Sequence, residues 1–440
     1  MKSFFLSLGF FFLLLCAVFG PTLWHWSLSG DDVSSLVKAQ SLNSVPKIAH
    51  SFVDFSHQYR PLTYLFFKMY LPLLPNFRAI FFLNLLFFSL VPTLLFLSVK
   101  KALPWPQALM LVSATMLSGT FFYHIFTISG LVNTLMLILF SLQCFVLTHR
   151  SKYTIPIAFL VFFLSIFVKE NFLPIFALFL VALFLNNAYE LKQKIFYGLI
   201  STLIVAIYFF LHVIFYEMVD VGYQFVFSFQ QLKTNLLLLL PWLVQYPRGW
   251  QYGTPILIET WRKIATGMYI VFLVAGAAHI FFRRKISFLG VVLLLLSTLV
   301  PFFFLSRVLV YYVDSAQVTL LLIVCDVISF MNEKSHQLGT VAAALFLFIA
   351  CAQSLTLLPV WTKHSFVADA NTAAQTFAQT LHDKHVENYQ VLCLIHEDNG
   401  GWATDHGQLA QLLGYKHLLI VSTFLHPNPP QCDWSNALIL

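Results

Sequence analysis

An all-helical, many-pass membrane protein is the fold class this chain predicts, on three observations. Hydrophobic residues make up 59% of the 440, Phe alone accounts for 49 of them, and mean hydropathy is +0.81. A soluble domain has no way to bury that much apolar surface. Apolar runs close to the roughly twenty residues that a bilayer crossing requires recur along the chain. Between them, short basic connections alternate with connections that are long or nearly free of Lys and Arg.

About eleven transmembrane helices are expected, at 4–23, 79–99, 105–124, 130–148, 153–168, 172–187, 195–216, 266–282, 288–306, 308–330 and 339–360. The first has a signal peptide as its rival reading. Its apolar part is longer than a signal core and no small-x-small cleavage pattern precedes Trp24, so it reads as an uncleaved anchor. With the N-terminus in the cytoplasm, the cytoplasmic connections carry Lys100 and Lys101, Arg150 and Lys152, Lys192 and Lys194, Arg283, Arg284 and Lys285, and Lys334. That is the sign the positive-inside rule asks for. Residues 153–187 read as two short legs broken at Lys169, Glu170 and Asn171, because a single span would put Arg283 to Lys285 outside. Legs this short set the break slightly below the outer surface, in a watery recess. The localisation expected is the cell (inner) membrane, with a cytoplasmic N-terminus and an external C-terminus.

Two external connections are long. The first, 24–78, holds an expected surface helix at 33–43, then Tyr59, Arg60, Pro61 and Leu62, then an apolar stretch ending at Pro75. The second, 217–265, contains an apolar run from Asn235 that is too short to span and is expected to lie in or dip into the interface. From about residue 362 the composition changes. A helical pattern at 368–384, a strand at 391–395, a helix at 407–414 and a strand at 418–421 predict a small external α/β domain, 362–440, after a transmembrane domain, 1–361. Of six cysteines, Cys16, Cys144, Cys325 and Cys351 lie in apolar runs and read as small hydrophobes. Cys393 and Cys432 share the tail, where a disulfide would form if that side is oxidising.

Charged residues are only 10% of the chain, and the net charge of +7 mostly reflects the helix flanks, which argues against nucleic acid as a partner. Against so sparse a background, the neighbours Asp31 and Asp32 stand out. They follow the first apolar segment, where an acid can take a proton from a substrate hydroxyl while the helices hold a lipid co-substrate nearby. The plainer reading is a helix cap, with Asp32 or Ser29 closing the surface helix. Arg60, before Pro61, reads either as a headgroup anchor or as part of a pocket. Lys169 and Glu170 form either a self-neutralising pair or a phosphate ligand with its orienting acid. Arg307, with Tyr311, Tyr312 and Asp314, opens the tenth segment. Its guanidinium either snorkels or binds a lipid phosphate, and Asp314 needs a partner, for which Arg307 or Lys169 would serve. No histidine pair has metal-ligand spacing. A metal is not firmly expected, although a divalent cation could be held by Asp31, Asp32 and Glu170. In the tail, His396, Glu397, Asp398, Trp402, Asp405 and His406 read as an exposed polar loop, with Trp402 able to stack on a sugar. The topology sends all these charges to one face, and charges from separate helices near one surface point to a shared pocket.

The ordered set of Gly30-Asp31-Asp32, Tyr59-Arg60-Pro61-Leu62, Val168-Lys169-Glu170-Asn171 with Pro174, and Arg307 with Tyr311 and Tyr312 resembles the GT-C class of integral-membrane glycosyltransferases. The likeness is to protein O-mannosyltransferase-like members, over about residues 1–330. The resemblance implies an inverting enzyme that moves a sugar from a polyprenyl-phosphate donor to an acceptor hydroxyl of a glycan, lipid or protein on the outer face. It implies Asp31 as the base and Asp32 as its support. Lys169, Arg307 and Tyr311 would bind the donor phosphate, and Tyr59, Arg60 and Glu170 would shape the pocket. The second acid is Asp where protein mannosyltransferases commonly carry Glu, which leaves the acceptor open. Two alternatives are a transporter or flippase of lipid-linked sugars, which should show broken helices and midplane charges, and an O-antigen polymerase or ligase-like enzyme.

Overall fold

The structure is a computed structural model describing residues 2–54, 59–149, 153–169, 171–185, 189–215, 226–243, 256–283, 285–305, 310–394, 400–422 and 437–439. It is about 80% helical, with one small parallel sheet. The first helix, α1 (Lys2–Leu23), leads into a loop carrying α2 (Asp31–Ser41), α3 (Val45–Ser51) and α4 (Pro61–Phe67). Then come α5 (Phe77–Val99), α6 (Trp105–Met116), the single turn α7 (Phe122–Phe126) and α8 (Leu131–Thr148). The pair α9 (Thr154–Ile166) and α10 (Leu173–Leu185) precedes α11 (Leu191–Phe215), α12 (Phe229–Leu243), α13 (Ile256–Arg283) and α14 (Lys285–Phe303). The bundle closes with α15 (Asp314–Lys334) and α16 (His336–His364).

Each of the eleven apolar segments falls on a helix. Among the described residues seven helices are long and apolar enough to cross a membrane, eight if the bent pair Trp105–Met116 and Gly119–Phe126 is one span. The protein is thus a multi-pass helical membrane protein. The expected straight span at 105–124 is bent by 56° instead. Ser118 stops α6 with an extended backbone and its hydroxyl accepts from the Thr120 amide, so the chain restarts in a new direction. The apolar helices α9 and α10 are shorter, at 13 residues each.

The expected interfacial run at Asn235 is part of α12, and the asparagine is buried. Its amide donates to the carbonyls of Phe302, Phe303 and Leu305 at 2.8–3.0 Å. Those are acceptors that the end of α14 leaves without helical partners.

Helix polarity sorts the charges. At one end Lys100 donates to Ser3 Oγ (2.8 Å), Gln107 pairs with Asn332, and Arg283 and Lys334 both sit over the Phe330 ring. The opposite end carries the loop with α2 and α4, the start of α15, and the tail. In the tail, α17 (Phe366–Asp383) is followed by β1 (Val391–Leu394), α18 (Gly400–Ala403), α19 (Leu409–Leu412), β2 (Leu419–Ser422) and β3 (Ala437–Ile439). The sheet order is β2-β1-β3, parallel throughout, with Val391 opposite both Leu419 and Ala437. The expected tail elements are all present; β3 and α18 were not foreseen. Asn371 of α17 accepts from the Ser27 amide (2.7 Å) and Gln375 donates to the His25 carbonyl (2.6 Å), fastening the tail to the first loop. Cys393 is disulfide-bonded; Cys432 lies outside the described residues.

Candidate functional site

The acidic doublet does not cap its helix. The residue before α2 is Gly30, and no side chain caps the helix end. Gly30 has φ +55°, and a Cβ there would lie 2.5 Å from the Trp402 indole. Only glycine satisfies both the left-handed backbone and the close approach. Its amide donates to the Ala403 carbonyl at 2.8 Å, so the tail sets the entry to the doublet.

The two acids then part. Asp31 is exposed and accepts from Trp402 Nε1 at 3.3 Å. Asp32 is 1% exposed, and its Oδ1 accepts from the Ser129 amide at 2.8 Å. Burial pushes the Asp32 carboxyl up to about 7; its hydrogen bonds to Ser129 and the Ile128 amide oppose that rise, and the Asp31 charge adds to it.

Ser129 stands just before α8, and the first turns of that helix collect the remaining polar groups. Asn133 Oδ1 accepts from Lys169 Nζ at 2.5 Å. Thr134 Oγ1 lies 3.1 Å from His124 Nδ1, and the other ring nitrogen, Nε2, is 3.1 Å from Asp314 Oδ2. That last contact is too oblique for a hydrogen bond. Among the described residues the partner of Asp314 is His124 and not the expected Lys169, while Asp314 Oδ1 takes the Ser315 amide at 2.5 Å. Asn84 of α5 donates to the His124 and Thr127 carbonyls and accepts from Tyr70 at 3.2 Å. Burial, reinforced by the Asp32 charge, holds the Tyr70 phenol well above its ordinary range.

Lys169 is enclosed, at 7% exposure, rather than bathed in the expected recess, and lies 5.7 Å from the Tyr312 ring. The turn before it is held by the segment around Arg60. The Leu62 amide donates to the Phe167 carbonyl (3.0 Å) and Thr63 Oγ1 to the Val168 carbonyl (2.9 Å). Arg60 itself is half-buried at the cap of α4. Tyr59 donates to the Phe52 carbonyl at 2.9 Å and packs on Phe167 and Tyr208, and burial pushes its phenol up to about 12. Tyr311 lies in a 3-10 turn, Val310–Val313, that leads into α15.

Glu170 and Arg307 lie outside the described residues. Asp31, Asp32, Lys169, Tyr59 and Arg60 therefore share one end of the bundle, with Asp32 and Lys169 hung from residues 129 and 133, about one helical turn apart. Among the described residues no three His, Cys, Asp or Glu side chains are grouped to hold a metal ion. An open cleft of about 650 Å³ adjoins the loop, lined by Trp24 to Ser27, Pro75 to Arg78 and Gln375.

Sequence reasoning missed Ser129, Asn133, His124 and Asn84. The available signal was their chemistry: neutral polar side chains within apolar helices need partners. The exposed loop expected at Trp402 is present, with the indole 43% exposed, but its hydrogen bond to Asp31 was not foreseen. Neither protein-family models nor curated proteins yield a match to this chain.

Proposed function

We propose that this protein is an inverting glycosyltransferase of the GT-C type, moving a sugar from a polyprenyl-phosphate donor to an acceptor hydroxyl at the outer membrane face. One observation carries the reading: a solvent-open carboxylate, Asp31, stands beside a buried one, Asp32, at the same helix start that anchors the buried cation Lys169. Acid and cation buried together at a bundle end are costly to keep there and so mark a site of chemistry.

In the proposed reaction Asp31 takes the proton of the acceptor hydroxyl. That oxygen bonds to the anomeric carbon as the bond from that carbon to the phosphate oxygen breaks, and polyprenyl phosphate departs with the electron pair. Lys169 offsets the charge growing on the leaving phosphate, which is where electrostatic stabilisation acts most strongly. The resemblance assigns the same task to Arg307 and Tyr311. Asp32, held by Ser129, keeps a second negative charge beside Asp31 when ionised, which strengthens Asp31 as a base. The donor's tail stays in the bilayer while its sugar meets the acceptor in water.

The orientation proposed has the Lys- and Arg-rich end in the cytoplasm and eleven crossings, with α9 and α10 as short ones. The disulfide at Cys393 supports an oxidising location for the tail.

The test is transfer by the purified full chain, reconstituted with polyprenyl-phosphate hexoses and pentoses. Asp31→Asn is expected to lose about a thousandfold in turnover, within the range of general-base catalysis, while remaining inserted and folded. Turnover equal to wild type would remove the reading.

A further inference from the structure

On the proposed function, on which this inference rests, the acceptor meets Asp31 where Trp402 of the tail also lies. Three features meet at Asp31. The Trp402 indole donates through Nε1 to Asp31 Oδ1 (3.3 Å) and packs against Gly30 and Phe366, yet keeps 43% of its surface exposed. It is therefore a held aromatic face rather than a loose side chain. Asp405 lies three residues past Trp402, with its amide donating to the Trp402 carbonyl at 3.1 Å; burial raises its carboxyl, His406 opposes that rise and the Asp31 charge adds to it. Asp405 and His406 both have left-handed backbone (φ 48° and 52°), followed by Gly407 at φ 88°. Consecutive non-glycine residues in that region cost about 1–2 kcal/mol each, and such strain persists where surrounding structure fixes it, often at ligand sites. Here the Asp405 amide's bond to the Trp402 carbonyl and the Gly407 amide's bond to Thr404 Oγ1 (3.2 Å) hold the turn.

An indole face beside two carboxylates matches a pyranose ring: C–H groups on one ring face lie on the aromatic surface, and neighbouring hydroxyls donate to the acids. A Ser or Thr in an extended peptide would offer one hydroxyl and no such face. We propose that Trp402 and Asp405 form an acceptor subsite for a sugar ring, so that the acceptor is a carbohydrate hydroxyl presented to Asp31.

The test is equilibrium binding of methyl and octyl hexopyranosides to the full chain in lipid nanodiscs, followed by ligand-observed saturation-transfer NMR, with a Ser/Thr-containing peptide as the competing probe. Wild type is expected to bind hexosides in preference to the peptide. Trp402→Ala and Asp405→Asn should each weaken hexoside binding about tenfold, and Trp402→Tyr should stay within about threefold of wild type. Trp402→Tyr and Asp405→Asn carry the test if Trp402→Ala does not fold. No hexoside binding by wild type, affinity unchanged in Asp405→Asn, or preference for the peptide would overturn the proposal. The outcomes separate from those of the catalytic reading: transfer to peptide alone with loss in Asp31→Asn sinks the subsite and keeps the enzyme, whereas Trp402-dependent hexoside binding with an active Asp31→Asn does the reverse.

Discussion

The two ends of the helical bundle use polar residues in opposite ways. At the basic end the outermost charges sit in the open, although a turn or two deeper His279 and Asp326 meet at 3.6 Å, each about a fifth exposed. Arg283 and Glu333 are 3.8 Å apart with side chains more than half exposed, and Lys100, Arg283 and Lys334 lie over Phe rings. Such contacts are weak, because water already solvates both partners. At the other end Asp32, Lys169, His124 and Asp314 are each less than a tenth exposed and each meets a named partner. Enclosed polar and ionisable groups carry a desolvation cost that only well-placed partners offset, so removing one partner strands the other. The outermost charges of the first end are left to water and aromatic rings; the second end holds specific groups in specific places.

The sharpest way to break this contrast is Asp314→Ala, which leaves the imidazole of His124 enclosed without its acid. A loss of about 1–3 kcal/mol is expected, the cost of leaving buried polar groups without a partner, read as a drop in melting temperature in lipid nanodiscs. A shift no greater than that of a surface variant would mean the pair is not enclosed. Next in size, Lys169→Ala should weaken binding of a polyprenyl-phosphate probe about tenfold or more while leaving acceptor-analogue binding within about twofold. Equal losses for both ligands would remove Lys169 from the phosphate.

The doublet sharpens the comparison through pH. Asp32 holds its proton in the folded state up to about 7, whereas an unfolded chain releases it near the ordinary 3.8. Between those values the folded form binds more protons, so stability falls as pH rises from about 4 to about 7 and then levels. Melting temperature measured against pH should show that fall in wild type, and the difference from Asp32→Asn should grow across the same window. A pH-independent difference would contradict the burial. Smallest of all, Glu333→Gln at the basic end should change stability by less than about 1 kcal/mol. A larger shift would erase the distinction between the ends.

Much of the architecture was legible because apolar length is a one-dimensional property. Every apolar segment of the chain falls on a helix, and the tail's strands at 391 and 419 and its helix at 366 emerged close to where alternating and Ala/Gln-rich patterns put them. The bend after Met116 was not legible: Ser118 and Gly119 lie within a run that stays apolar on both sides. The candidate site was half legible. Asp31, Asp32 and Lys169 announce themselves as rare charges, but Ser129 and Asn133 are ordinary neutral residues in an apolar stretch. His124 gives no sign of Asp314, which lies 190 positions later.

By itself, then, the order of residues determined that this chain has many helices apolar enough to enter a membrane, with short basic connections between some of them and the acidic pair just beyond the first. Those outcomes depend on transfer free energies summed over local windows. Only the tertiary structure decided that Asp32 would be buried and Asp31 open, that α8 would hold both acid and lysine, and that Trp402 would cross some 370 positions to reach Asp31. Desolvation and hydrogen bonding depend on what surrounds a group in three dimensions, and neighbours in sequence do not specify those surroundings.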